Sequence, residues 1–540
     1  MTDIEIPYEK DRRGHYRFFE MLPGIISWTM ILVPFILSFI DVRLAAMFVF
    51  IYLLINFARG MAGAFRAVQG YRAMNQHQKL PWSDMLKELS MGTVSQNAKR
   101  PKWHTNVVQR SQTQPILMPP EQIIHAVIIA TYKEAREVLE PTIQSVLRSD
   151  FNMKQVIFVL AYEERAGEST ERLAHQLVDE YKSKFLHAMA VKHPHNIPGE
   201  VIGKGGNVTF AARRLQEYLE ANHIDPLRVM VTTLDADNRP DKNYLNALSY
   251  VYLVAPDPIH KSYQPVSLYT NNIWDAPAPS RVLATGNSFF NLVVSLRQHA
   301  LRNFSSHAQP MAALIKTDYW SVRTIVEDGH QFWRSYFRFD GKYRVLPLHL
   351  PIYQDAVLAE TYVKTLKAQF VQLRRWTYGA SDIAYVVDKG FFKPNKVPKP
   401  DLLAKTWRLL EGHVTWAVGP ILVLFGGFIP SLFHPKSYTA NELPIIVSRV
   451  QTVALVIALV TVFLALKTLP PKPARYKRHR SLFMVLQWVY LPLTSLVYNS
   501  FAAFYSQTRL LLGKYMSKFD FTEKAVVTQN ADGSKGKTKV

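Results

Sequence analysis

The 540-residue chain contains no cysteine. That absence excludes disulfide scaffolds, thiolate zinc sites, iron–sulfur clusters and cysteine nucleophiles together. Any metal must be held by oxygen or imidazole ligands. Negative charge is also scarce, since 42 Asp and Glu stand against 64 Lys and Arg for a net charge of +22. Such an excess suits anionic lipid headgroups, nucleic acid or a phosphorylated substrate. No groove-reading motif is present and the basic residues cluster beside apolar runs, so no nucleic-acid partner is expected. With 12% aromatic and 20% charged residues the chain is not wholly disordered. Its length exceeds what one core usually holds, so at least two parts are expected.

What the sequence does have is long uncharged runs towards both ends. Residues 21–40 carry no charge and are long enough to cross a hydrocarbon core of roughly 30 Å as a helix. A second run at 44–58 completes a hairpin, with Lys10, Arg12 and Arg13 before it and Arg59, Arg66 and Arg72 after it. Basic flanks on both sides place the two ends in the cytosol. Runs at 414–433 and 450–466 form a second hairpin, followed by Lys472, Arg475, Lys477, Arg478 and Arg480. The chain thus reads as a multi-pass integral protein of a plasma or inner membrane, with its polar middle in the cytosol and membrane lipids as partners. Residues 481–508 are uncharged and broken by Pro492, which leaves one span, a re-entrant hairpin and an interfacial helix all open. The basic tail after Arg509 fits the cytosolic side, which a single crossing by 481–508 would forbid. Its Gly-Ser-Lys-Gly-Lys-Thr-Lys ending is expected to be disordered.

Residues 73–400 hold short β-branched runs at 125–130, 155–161 and 229–234, with a helix-like segment at 135–148. Strand, helix and strand imply a parallel α/β sheet with its site at the carboxyl ends of the strands. Ala-Thr131-Tyr132-Lys-Glu134 sits where the first strand meets its helix, with helix capping as the simpler reading. Asp235-Ala-Asp237 ends the third strand, where alternate carboxylates can approach one hard cation. Gly-Lys204-Gly-Gly puts a cation among glycines, in isolation a flexible turn. Glu327-Asp328 follows the segment 310–319, which is expected to line a pocket. The adjacent carboxylates can hold one member at raised pKa for proton abstraction. Gln372, Arg375 and Trp376 share a helix face, where Arg suits a diphosphate and Trp offers a sugar an apolar platform. An amphipathic surface helix explains them equally well.

The order of these motifs between two hairpins resembles membrane-embedded family 2 glycosyltransferases, the group of cellulose, chitin and hyaluronan synthases. The resemblance covers about residues 20 to 525 and implies an α/β GT-A-like, Rossmann-like cytosolic domain inserted between α-helical transmembrane hairpins. It divides the chain into an N-terminal segment with two transmembrane helices (1–66), the GT-A domain (67–400), interfacial and transmembrane helices (401–513) and a gating-loop-like segment with basic tail (514–540). It implies processive, inverting transfer from a UDP-sugar to a growing polysaccharide, with export through the membrane and accessory export proteins as partners. Asp235 and Asp237 would then meet Mg²⁺ or Mn²⁺ and the diphosphate. Asp328 would be the general base beside Glu327, in a Val-Glu-Asp version of the family's Thr-Glu-Asp. Donor contacts fall to Thr131, Tyr132, Glu134, Lys204, Gln372 and Arg375, and the acceptor to Trp376. The gating loop Phe-x-Val-Thr-x-Lys is matched at Phe519, Thr522 and Lys524, with Phe521 in place of Val. Where the family ends its second strand in Asp residues that hold uracil, this chain has Glu163 and Glu164. Regulation through a cyclic-dinucleotide-binding β-barrel is not expected. The alternative is transfer of one sugar to a membrane lipid, as in ceramide glucosyltransferases.

Overall fold

The computed structural model describes residues 4–516, 524–529 and 535–539. Its first long helices are α1 (Gly14–Ile40) and α2 (Val42–Gln78). The chain reverses at Asp41, whose carboxylate accepts the Arg43 amide at 2.8 Å and so caps α2. Because α2 continues well past its apolar half, the junction expected at 66/67 lies inside a helix. Gly70 of α2 lies against the Leu292 carbonyl, which a Cβ there would meet at 2.4 Å. Only glycine allows that approach.

An eight-stranded mixed sheet forms the middle of the chain, in the order β3-β2-β1-β4-β7-β6-β8-β5. Strands β1 (Ile124–Thr131), β2 (Val156–Glu163), β3 (His187–His193) and β4 (Val229–Asp235) are parallel. The nearly unbroken apolar runs of β1, β2 and β4 reflect burial on both faces, whereas β3, at the sheet edge, is only partly buried. The other half comprises β5 (Arg239–Pro240), β6 (Lys261–Tyr269), β7 (Ala308–Pro310) and β8 (Arg344–Gln354). There β7 runs antiparallel to β4 and β6, while β6 and β8 are parallel. Helix α3 (Arg136–Leu147) joins β1 to β2, and α4 (Lys204–Ala221) packs on β1, β2 and β3.

Three further long helical stretches are apolar enough to cross a membrane: Lys399–Phe433, Tyr438–Thr468 and His479–Leu511. The last contains a 3₁₀ turn, Gln487–Tyr490, and a π-helical turn, Ser495–Ser500, on either side of Pro492. Both of its ends are held on the side of the sheet domain. At one end Arg480 donates to the Trp274 carbonyl at 2.8 Å, and at the other Arg17 of α1 donates to the Leu510 and Leu511 carbonyls at 2.6 and 2.8 Å. A straight crossing would separate those ends, so among the readings left open by the sequence this geometry favours an interfacial or returning helix. After it, residues 525–529 and 535–539 pair as antiparallel strands. The sequence predicts disorder at the chain's end, because its lysines mask the β-branched Val526-Val527-Thr528 run that can pair with it.

Candidate active site

The carboxyl ends of β1, β2 and β4 open into one cavity of about 1480 Å³. Thr131, Tyr132, Glu134 and Glu163 line it, as do Lys204, Asp235, Asp237, Glu327 and Asp328. Gln372, Arg375, Trp376 and Lys524 line it too. Glu164 does not: it is exposed and accepts the His195 amide at 3.0 Å and ring Nδ1 at 2.6 Å. Of the strand-two pair, then, only Glu163 faces the site. β2 ends at Glu163, and Glu164 already belongs to a 3₁₀ turn, Glu164–Ala166, that leads away from the strand end. Residues 310–319 do not line the cavity, and Met311 and Leu314 are core. Phe519 and Thr522 lie outside the described residues.

Thr131 caps no helix, since α3 begins only at Arg136. Its hydroxyl and the Tyr132 amide both donate to Glu134, each at 2.8 Å, which folds the loop back upon β1. Arg165 lies 4.6 Å over the Tyr132 ring and pairs with Glu163. Lys204 is not in a flexible turn but opens α4, and Asn207 one turn on donates to the Ala161 carbonyl at 3.1 Å, tying α4 to β2. Gly205 permits this seating, for a Cβ there would stand 2.3 Å from the Ser321 carbonyl.

Charge is tightly interlocked around this cation. Lys204 Nζ lies 2.8 Å from Asp235 and 3.5 Å from Asp328. Burial works against the ammonium, but Asp235, Asp328 and Glu327 prevail and hold its pKa above the ordinary lysine value. Asp235 moves the other way: burial alone would raise it, yet Lys204 and the Ser305 hydroxyl, donating at 2.6 Å, keep it well below the usual carboxylate range. Glu327 is pushed up by burial and by its neighbour Asp328. Asp328 is the second residue of helix α6 (Glu327–Arg338) and also faces His307 Nδ1 at 3.8 Å. Trp320 donates to His307 Nε2 at 3.1 Å, so the neutral ring carries its proton on Nδ1, which donates to the Phe304 carbonyl at 2.9 Å.

Asp237 meets Lys524 Nζ at 2.8 Å, and its other oxygen accepts the Asp355 amide at 3.0 Å. Burial and Asp237 raise the pKa of Asp355, whose Oδ1 is buried without a hydrogen-bond partner. Two crowded carboxylates, one with an orphaned oxygen, fit a hard divalent cation that takes its remaining ligands from a diphosphate and water. Among the described residues no group of three or more His, Asp or Glu is placed to hold a metal alone. Sequence reasoning missed Asp355, His307 and Ser305. Asp355 follows the end of β8 much as Asp235 ends β4, a signal hidden by the prolines of β8. Gln372, Arg375 and Trp376 share the cavity side of α7 (Tyr362–Thr377), and the Trp376 and Tyr269 rings lie 6.1 Å apart. Beyond them the cavity continues between the long apolar helices, past Trp416, Thr494 and Asn499.

No protein-family model and no curated protein matches the chain. Among solved structures, the mannosyltransferase PcManGT from Pyrobaculum calidifontis, with GDP-Man and Mn²⁺, is 16% identical, covering 81% of this chain and 98% of its own at a TM-score of 0.37. S. aureus TarS 1–349 with UDP-GlcNAc is 11% identical, covering 77% of this chain and 100% of its own at 0.35. GalNAc-T7 with UDP, GalNAc and Mn²⁺ is 12% identical over 53% of this chain and 54% of its own at 0.29. Scores this low leave fold and activity to be argued from the chain's own residues.

Proposed function

We propose that the chain is a membrane-embedded, inverting glycosyltransferase with a GT-A-like domain, which adds sugars from a UDP-sugar to a growing polysaccharide. The observation that carries this reading is the single cavity joining the Asp235–Asp328 end to an aromatic passage between apolar helices. A donor site and a membrane exit would then be continuous. An acceptor hydroxyl attacks the anomeric carbon and gives its proton to Asp328, while the bond from that carbon to the diphosphate oxygen breaks and UDP leaves. Lys204 and Arg375 meet the charge on the departing diphosphate. Lys204 Nζ, 3.5 Å from Asp328, also forms an ion pair that positions this carboxylate. Asp237 with Asp355 would help to hold Mg²⁺ or Mn²⁺, which would supply further neutralisation of the diphosphate.

Purified protein incubated with a panel of UDP-sugars and Mg²⁺ or Mn²⁺, followed by sizing of the product, tests the reading. A saccharide ladder supports it, and an organic-extractable monoglycosyl lipid as sole product replaces it with the lipid-acceptor alternative. Trp376→Ala, which removes the platform beside Tyr269, is expected to shorten the chains at least about threefold in mean length. An unchanged ladder removes Trp376 from the acceptor path.

The domain and the tail would both face the cytosol. Since the native chain has no cysteine, Lys436→Cys, in the exposed turn between Lys399–Phe433 and Tyr438–Thr468, is expected to react with a membrane-impermeant thiol reagent on intact cells. Lys514→Cys should react only after permeabilisation. Labelling of Lys514→Cys on intact cells reverses the orientation of the tail.

A further inference from the structure

The cavity carries two clusters of charge. At the strand end Glu134, Glu163, Asp235, Asp237, Asp328 and Asp355 stand among Arg165, Lys204 and Lys524, whereas Arg297, Arg302, Lys405 and Arg408 line the cavity together with Asp382 and Glu411. That second cluster is built where α2 meets α5 (Ala278–Ser295) and the first turns of Lys399–Phe433. Arg66 of α2 stands close enough to act on both Arg297 and His299. Among the described residues, Arg66, Arg297, Arg302 and Arg408 form no ion pair, although Glu411 acts on Arg297 and Asp382 on Arg302 from further away. The nearby acids are already engaged: Glu411 by Arg59 and by the Thr415 hydroxyl at 2.8 Å, Asp382 by His330 at 2.7 Å, and Asp401 by Lys405. Arg302 instead lies 4.6 Å over the Trp333 ring.

Unpaired guanidiniums crowded together cost electrostatic energy unless an anion joins them. Burial, and after it Arg66 and Arg408, hold Arg297 below its ordinary pKa, while burial and Arg408 lower His299. Diphosphate would be served by Lys204 and Arg375, and this second cationic cluster is additional to them. Its surroundings point to an amphiphile: Phe290 on the cavity wall, Phe65 on α2 and Trp407 beside Arg408 are 53%, 66% and 64% exposed. Large apolar side chains bordering a cationic recess match a molecule with acyl chains and an anionic head.

We propose that this cluster is a binding site for the phosphate headgroup of an anionic membrane lipid, held by Arg297, Arg302 and Arg408, with its chains against Phe65, Phe290 and Trp407. Such a lipid binds whether or not the strand end transfers sugar, so the two readings fail separately. The test uses the full chain in detergent, titrated with dioctanoyl-phosphatidylglycerol, dioctanoyl-phosphatidylcholine and inorganic phosphate in a calorimeter. Saturable binding of the glycerol lipid is expected, at least about tenfold tighter than the choline lipid. At roughly 1 kcal/mol for each Arg near an anionic headgroup, Arg408→Gln should weaken it about fivefold and Arg302→Gln with Arg408→Gln about 30-fold. Unchanged UDP binding reports an intact fold, and because Arg408 is exposed its single variant keeps the test alive if Arg302→Gln misfolds. Equal affinity for both lipids, or no loss in Arg408→Gln, overturns the site. Displacement of the lipid by an equal concentration of inorganic phosphate overturns the lipid and leaves a soluble anion in its place.

Discussion

Asp328→Asn is expected to lower turnover by about a hundredfold or more while leaving UDP-sugar affinity within about threefold. Asp328 is the second residue of α6, 3.5 Å from Lys204 and 3.8 Å from His307. The amide keeps the shape but accepts no proton, and removal of a positioned base typically costs about 10² to 10⁴ in rate. Isothermal titration with UDP beside initial rates separates the two effects. Loss of UDP binding in a folded variant makes Asp328 a donor-site residue, and native turnover removes it from the chemistry. The substitution also relieves Glu327. A buried Glu whose folded pKa is raised keeps a proton that the unfolded chain has released. In native protein stability therefore falls as pH climbs above the ordinary Glu pKa and levels off above the raised one. In Asp328→Asn that fall should be shallower, as thermal melts across pH would show. An identical slope means that Asp328 does not set the proton on Glu327.

Asp237→Asn should have the second large effect: loss of transfer by about a hundredfold or more at any Mn²⁺ concentration. One oxygen of Asp237 holds Lys524 and the other accepts the Asp355 amide. The Asn side chain retains an acceptor for the backbone contact but surrenders the charge that would bind a cation and that now raises Asp355. Transfer rates measured over a Mn²⁺ titration, and with excess chelator, decide the matter. Full activity in the variant or in chelator contradicts metal-assisted departure of UDP.

The parallel half of the sheet was legible because burial on both faces leaves β1, β2 and β4 as short apolar runs, whose ends deliver Thr131, Glu163 and Asp235. The other half was not. Strands β6 and β8 interrupt their apolar patterns with Pro265, Pro347 and Pro351, and with buried polar residues such as Gln264, Ser267 and Gln354. Those polar groups bond to one another, as Gln354 does to Ser267 at 3.1 Å, a pairing no periodicity announces. Glu164 lies outside the cavity lining, and a doublet of carboxylates does not say which member turns inward. Asp355 and His307 escaped notice because each becomes meaningful only beside Asp237 or Asp328, residues distant in sequence. The last long helix resisted reading because hydropathy is blind to Arg17 and Arg480, which bind its two ends to one side.

Lys524 has a consequence for biosynthesis. It lies half-buried between Asp237 and Glu134, and although desolvation alone would lower its pKa those carboxylates raise it. It is also the last of the site's charges to leave the ribosome, after the sheet and the apolar helices have been synthesised. Until it arrives, Asp237, Asp355 and Glu134 face one another without that cation. A nascent chain stalled after Leu511 therefore holds an electrostatically unfinished site.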